Sequence, residues 1–180
     1  MRALSNSSGG WRRRAVILCL CTFLAGCPGL HDRHAGEPEW RFKGKLGYRT
    51  PGGSGSVLID WRQYPRERFD VVLRAALGVA LARVAGAVGG PVTLEQRGAK
   101  VAFADPDAAA TQALGVPVPL GALRHWIRGV PAPWAFTATE SGWRQSGWNV
   151  QARRQEDGLP ARVVMRREDV RFVLAVRKWR

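Results

Sequence analysis

The stretch "WRFKGKLGYRTPGGSGSVLIDW" (40–61) decides the fold. In its first half Trp40, Phe42, Leu46 and Tyr48 alternate with Arg41, Lys43, Lys45 and Arg49. A period of two puts each set on its own side of a pleated strand, so this is a half-buried strand with Gly44 at an inward position. The segment "TPGGSGS" (50–56) reads as a turn. Val57, Ile59 and Trp61 then share one face of a second strand. "GGSGS" invites comparison with a phosphate-binding loop, but no Lys follows it and no helix opens there, so a hairpin turn is the better reading.

The same alternation continues outward from this hairpin. Phe69, Val71 and Leu73 share a face after the turn "QYPRER", and further runs lie near 79–85, 92–96, 100–103, 147–152 and 161–166. The last run, 170–179, places Val170, Phe172, Leu174 and Val176 on one side. About ten strands joined by short turns predict an antiparallel meander. Two helical segments interrupt it. "DPDAAATQALG" starts with Asp105 as N-cap and Pro106 at the first helical position, and stops at Gly115. "PLGALRHWIRG" runs from Pro119 to Gly129, with Leu120, Leu123 and Ile127 at helical spacing and Trp126 beside them. The predicted class is α+β: a curved antiparallel sheet with a few helices on its concave face.

The chain has 180 residues and a formal net charge of +14, enough length for a single domain with a real core. Residues 1–26 hold Arg2, Arg12, Arg13 and Arg14 and no acid, so from Cys27 onward 24 basic residues face 14 acidic ones. That surplus favours polyanions: nucleic acid, anionic headgroups or an acidic protein. The N-terminus reads as an export signal, with a basic triplet Arg12–Arg14, an apolar run Ala15–Leu24 and small residues Ala25 and Gly26. The apolar run is too short for a permanent span, which takes about 20 residues. Cys19 and Cys21 would leave with the signal, so Cys27 has no intramolecular disulfide partner. Leu24-Ala25-Gly26-Cys27 resembles the lipobox of bacterial lipoproteins, which implies a diacylglycerol on the Cys27 thiol after cleavage before it. Pro28 stands where an Asp signals inner-membrane retention in enterobacteria, which implies the outer membrane. The expected organisation is a signal at 1–26, a lipidated N-terminus and tether at 27–38, and a domain at 39–180. His31 and His34 fall in the tether and make no metal site with Cys27.

Enzyme chemistry finds little support. The predicted domain has one histidine, His125, flanked on its helix by Arg124 and Arg128, and it reads as a surface or capping residue. Asp105 and Asp107 are explained by a helix start. Asp60, Asp70, Glu168 and Asp169 are scattered. Seven tryptophans and many arginines follow the signal, a mixture that can build a single-strand platform. Export, a lipid tether and the solvated face of an alternating sheet argue against nucleic acid.

Trp40, Phe42, Trp61, Phe69, Leu73, Leu81, Phe103, Met165, Phe172 and Leu174 all read as inward-facing. Alternation alone fits either a packed core or a core left open for a lipid-sized ligand. The turn Ala75-Ala76-Leu77-Gly78 carries a leucine where turns normally carry polar residues. At the tip of a hairpin in a membrane-tethered protein it is placed to dip into a bilayer.

The lipobox, "GKLGYRTPGGSGSVLIDW" (44–61), "RFDVVLRAALGVALARVAG" (68–86), "PVTLEQRG", "LGVPVPLGALRHWIRGVPAP" (114–133) and "DGLPARV" (157–163), in this order, resemble LolB, the outer-membrane lipoprotein receptor family. The resemblance implies an open half-barrel enclosing an acyl-chain cavity, with no cofactor and no metal. It implies a periplasmic LolA-like carrier as donor and the inner leaflet of the outer membrane as destination, with the receptor acting as a monomer. Candidate cavity residues are Phe42, Leu46, Trp61, Phe69, Val71, Leu73, Leu81, Leu123, Trp126, Ile127, Met165, Phe172 and Leu174. Leu77 and Gly78 match the family's membrane-insertion loop, with Ala76 in place of its proline. The region from Pro133 to Gly147 is shorter than the family pattern, which suggests a trimmed hairpin. The competing expectation is another periplasmic lipoprotein that binds a hydrophobic ligand or scaffolds envelope proteins.

Overall fold

β1 (Trp40–Thr50) and β2 (Gly53–Gln63) form the expected hairpin, in unbroken antiparallel register from Trp40↔Gln63 to Thr50↔Gly53. The turn is shorter than the sequence suggests, because only Pro51 and Gly52 separate the strands. Gly53–Gly55 belong to β2, and a side chain at 55 would collide with the Tyr48 ring that lies over it. The structure, a computed structural model, describes residues 36–180. The signal, Cys27 and the tether as far as residue 35, with His31 and His34, lie outside the described residues.

The remaining strands are β3 (Arg68–Arg74), β4 (Ala80–Ala87), β5 (Val92–Gln96), β6 (Ala99–Phe103), β7 (Thr137–Thr139), β8 (Gly142–Gln145), β9 (Trp148–Arg154), β10 (Pro160–Arg167) and β11 (Val170–Trp179). They form one eleven-stranded sheet in the order β6-β5-β4-β3-β2-β1-β11-β10-β9-β8-β7. Every sequential pair from β1 to β6 and from β7 to β11 is a hairpin, and the first and last strands pair at the centre. Register breaks at Lys43/Gly44, Leu73/Arg74 and Pro160/Arg162 bend the sheet, which is how bulges curl an open sheet toward a half-barrel. Gly44 sits at the first of these. A Cβ there would lie 2.5 Å from the Ala175 carbonyl oxygen, so glycine permits the close approach.

The shortened region holds a hairpin after all, β7 and β8. β7 is three residues long and fully exposed, too short and too polar to carry an alternation signal. The helices are α1 (Pro106–Leu114) and α2 (Leu120–Trp126), inserted between β6 and β7. The Asp105 carboxylate accepts from the N–H groups of Asp107 and Ala108, Pro106 opens α1, and Gly115 closes it at φ +69°, as the sequence predicts. Both helices help bury one contiguous apolar core with the sheet. Gly36–Arg180 is one compact unit containing that core, which is what a segment needs to fold alone.

On the outer face of β1–β4, Arg41, Arg62 and Arg83 are neutralised by two aspartates. Arg41 donates to both oxygens of Asp60 at 2.9 and 2.7 Å, and Arg83 to both oxygens of Asp70 at 2.8 and 3.2 Å. The two scattered carboxylates therefore have structural partners. Burial pushes the Asp60 carboxyl up, but the hydrogen bonds and charge of Arg41, reinforced by Lys43 and Arg62, outweigh it and hold it below its ordinary value.

Candidate functional site

The inward side chains fall into three neighbouring zones. At one end Trp40, Phe42, Trp61, Phe69 and Trp179 form an aromatic cluster, with Phe42 and Trp179 centroids 5.4 Å apart and Trp61 and Phe69 6.3 Å apart. The Trp61 indole N–H is satisfied by Gln63 at 3.2 Å, so this end is stapled rather than fluid. At the other end Trp148 stacks on Phe172 at 5.6 Å and meets Trp126 at a tilt, 6.2 Å between centroids. Ile127, Met165 and Leu174 belong to the same buried core.

Between them lies the seam between helices and sheet. Leu46, Val71, Leu73 and Leu123, cavity candidates from the sequence, meet Ile59, Val84, Ala110, Leu114, Val118 and Leu120, which lie outside that candidate set. Ile59 was legible in the β2 alternation. Ala110 was not, because a small helical residue carries no hydrophobic signal of its own. Together they surround a void of about 20 Å³ with a wholly apolar lining. A pocket for a drug-sized ligand needs roughly 300 Å³ or more, so in this structure the seam is closed.

Leu81 is the exception among the candidates. It is 42% exposed, while Ala82 and Val84 point inward. The β3–β4 register runs Arg74↔Ala80 and then Leu73↔Ala82, which leaves Leu81 unpaired at a bulge. The bulge shifts the alternation by one residue, and that is why the period-two reading placed Leu81 on the wrong side. Phe103 is only partly buried, packed against the edge of the core.

The seam is closed by unequal latches. α2 is tied by the Arg124–Glu67 ion pair and by the Trp126 indole N–H, which donates to the buried Gln145 at 2.8 Å. Gln145 also takes the Ala132 N–H and donates to the Ala132 and Trp134 carbonyls, so one side chain fixes the loop after α2. α1 packs over β4, β5 and β6 through the small residues Ala109 and Ala110. Gln96 supplies a side-chain hydrogen bond from the sheet, to the Ala113 carbonyl at 3.3 Å. α1 joins α2 through Asp107, which accepts from the Gly121 N–H at 2.8 Å, and Thr111, which accepts from the Val118 N–H at 3.3 Å. Burial raises the Asp107 carboxyl above its ordinary value.

His125, expected at the surface or as a cap, is half-buried. Its Nε2 is buried with no hydrogen-bond partner among the described residues, and its ring meets Trp134 edge-on at 6.2 Å. Burial first, then the Arg124 charge, lowers its pKa.

The β3–β4 hairpin presents Leu77 at 94%, Val79 at 63% and Leu81 at 42% exposure, an apolar line running up to the tip. The Gly78 N–H donates to the Ala75 carbonyl and the Ala75 N–H to the Val79 carbonyl, both at 2.9 Å. Gly78 takes φ +85°, the left-handed conformation that closes a three-residue hairpin loop and that other residues adopt at a cost. The loop is thus fixed, and Leu77 is held outward. Val79 and Leu81 extend the apolar surface beyond the expected Leu77 and Gly78.

Comparisons with known proteins agree with this geometry. The family model "Outer membrane lipoprotein LolB" matches residues 38–179. The chain is 30% identical to the outer-membrane lipoprotein LolB of Pseudomonas putida strain W619, over 93% of this chain and 95% of that protein. It is 32% identical to the LolB of Chromobacterium violaceum, over 93% of this chain and 98% of that protein. A match spanning the sheet, both helices and the hairpin loop shows that the chain belongs to the LolB family.

Proposed function

We propose that the protein is a lipid-anchored receptor that takes lipoproteins from a soluble LolA-like periplasmic carrier and inserts them into the outer membrane. In this reading residues 1–26 are removed, Cys27 carries the anchoring lipid, residues 27–38 are a tether, and the domain from 39 onward works as a monomer facing the periplasm. Two acyl chains on one cysteine hold a protein to a membrane stably, whereas one is marginal.

The observation that carries the proposal is the seam: a continuous apolar lining closed by a helix, α1, that grips the sheet through alanines. The closed form keeps the lining away from water when no lipid is present. Displacing α1 opens space between Leu46, Val71, Leu73 and Val84 on the sheet and Leu123 on α2. Each methylene moved from a less apolar site into this one contributes up to about 0.8 kcal/mol, so transfer needs no nucleotide if the receptor buries more of the chain than the carrier does. The net basic surface speeds encounter with an acidic carrier, and raising the salt concentration is expected to slow that association.

Leu77 separates uptake from delivery. The Leu77→Glu variant is expected to accept lipoprotein from the loaded carrier at the normal rate and to deliver it to vesicles at least tenfold more slowly. The measurement is a two-stage transfer assay with labelled lipoprotein. Unchanged delivery removes the loop from the mechanism, and failure to accept at all contradicts the assignment of uptake to the seam.

A further inference from the structure

The outer face of β8–β11 differs from that of β1–β4. Strand register sets Arg49, Arg171, Arg166, Asn149 and Arg144 side by side across five adjacent strands. The neighbouring row, Tyr48, Phe172, Met165, Val150 and Trp143, is the inward one, so the arginines share the outer face. At about 4.8 Å per strand the row spans roughly 19 Å. A second row places Arg162 directly opposite Arg153, two strands from Lys45.

Like charges directly opposite each other destabilise a sheet, yet Arg49, Arg171 and Arg166 are consecutive. On β1–β4 the same problem is solved by Asp60 and Asp70. Strands β8 to β11 contain no carboxylate, and among the described residues none of these four arginines makes an ion pair. Glu168 and Asp169, in the β10–β11 turn next to the row, leave them unpaired as well. Arg144 reaches only Asn149, at 3.2 Å, and Arg166 only Gln151, at 3.5 Å. The Arg171 Nε is buried with no hydrogen-bond partner among the described residues.

The row lies next to the β1–β2, β8–β9 and β10–β11 turns. In an antiparallel meander these are on the same rim as the β3–β4 hairpin that carries Leu77. Trp134, 44% exposed, is held to this rim by its indole N–H, which donates to Ser146 of the β8–β9 turn at 3.1 Å. Between the arginines stand Asn149, Gln151, Val164 and Val173, with no aromatic ring for a base to stack on.

We propose that this arginine row binds the phosphate-bearing headgroups of anionic lipids, so that the whole rim, and not the hairpin tip alone, is the membrane-facing edge. Which rim meets the membrane rests on the reading of Leu77 above; the uncompensated charge does not. Guanidinium groups pair with phosphate bidentately, and a row at headgroup depth suits a tip that dips only a few ångströms.

The test uses residues 36–180, the unit that holds the complete core, in flotation with vesicles of phosphatidylcholine alone or with one-third phosphatidylglycerol. Preferential, salt-sensitive binding to the anionic vesicles is expected. Arg166→Gln/Arg171→Gln should weaken it by about 25-fold, roughly fivefold per arginine, with melting temperature unchanged or raised. Arg49→Gln/Arg144→Gln should act alike, and Arg166→Lys/Arg171→Lys should keep most of the binding. Equal binding to both vesicle types, or glutamine variants that bind as well as the parent, overturns the proposal. So does displacement by millimolar inorganic phosphate, which would mark a free-anion site. Arginine variants that slow uptake from the carrier while leaving vesicle binding intact assign the row to a protein partner and overturn it too. The two readings fail separately: Leu77→Glu alone losing delivery leaves the tip standing without the row, and arginine variants alone losing anionic binding leave the row without the tip.

Discussion

Asp60 carries more of the outer face than one carboxylate usually does, because Arg41 and Lys43 both converge on it, at 2.7 and 3.4 Å. Asp60→Ala is expected to destabilise the domain by about 2–3 kcal/mol, the range for removing one partner of a largely buried charged pair, readable in urea melts at pH 7. The sign of its pH dependence follows from its lowered pKa. The stabilisation is present above the carboxyl's unfolded value and lost as pH falls through the folded one, so the gap between parent and variant should start to close only below about pH 4 and vanish below the lowered folded value. Gln145 acts the same way inside the core. Gln145→Leu strands the Trp126 indole N–H and the Ala132 N–H, at an expected cost of about 2–4 kcal/mol. A variant as stable as the parent would show that the network is dispensable. Sequence revealed the cap residues Asp105, Pro106 and Gly115 because their chemistry is local. It did not reveal Gln145, whose partners lie 10 to 19 residues away, nor the isolated side of Leu81, which depends on a bulge.

At the scale of elements, the two helices differ in how they are held. α2 has a charged latch and an indole hydrogen bond, while α1 rests on alanines and Gln96. Small residues bury little area each, so α1 is the easier to lift. In native-state hydrogen exchange the amides of Ala110–Ala113 should exchange at least tenfold faster than those of Leu123–Ile127, with Gln96→Ala widening the gap. Equal protection of the two helices would remove α1 as the gate. The strands were readable from their period of two, α2 from its helical spacing and α1 from its caps, except β7 and β8, whose seven residues in total are too few to show a period. The closure of the seam was not readable, since alternation says which residues face inward and nothing about the space left between them.

Across the whole molecule the sheet separates three surfaces: an apolar interior under the helices, an outer patch of β1–β4 around Asp60 and Asp70 where charge is compensated, and a basic outer band running from Arg49 on β1 across β11, β10 and β8 next to the rim that carries Leu77. Sequence supplied the net charge but not this division, which appears only when register brings Arg49, Arg171 and Arg166 into line. In the proposed function the closed seam opens to take a lipoprotein's acyl chains from the carrier. Native mass spectrometry of residues 36–180 after incubation with a lipoprotein-loaded carrier tests it most directly. The predicted result is a species with the mass of the domain plus one lipoprotein, appearing as the loaded carrier disappears. A folded domain that stays at its own mass while the carrier keeps its cargo would rule out the seam as the receiving site.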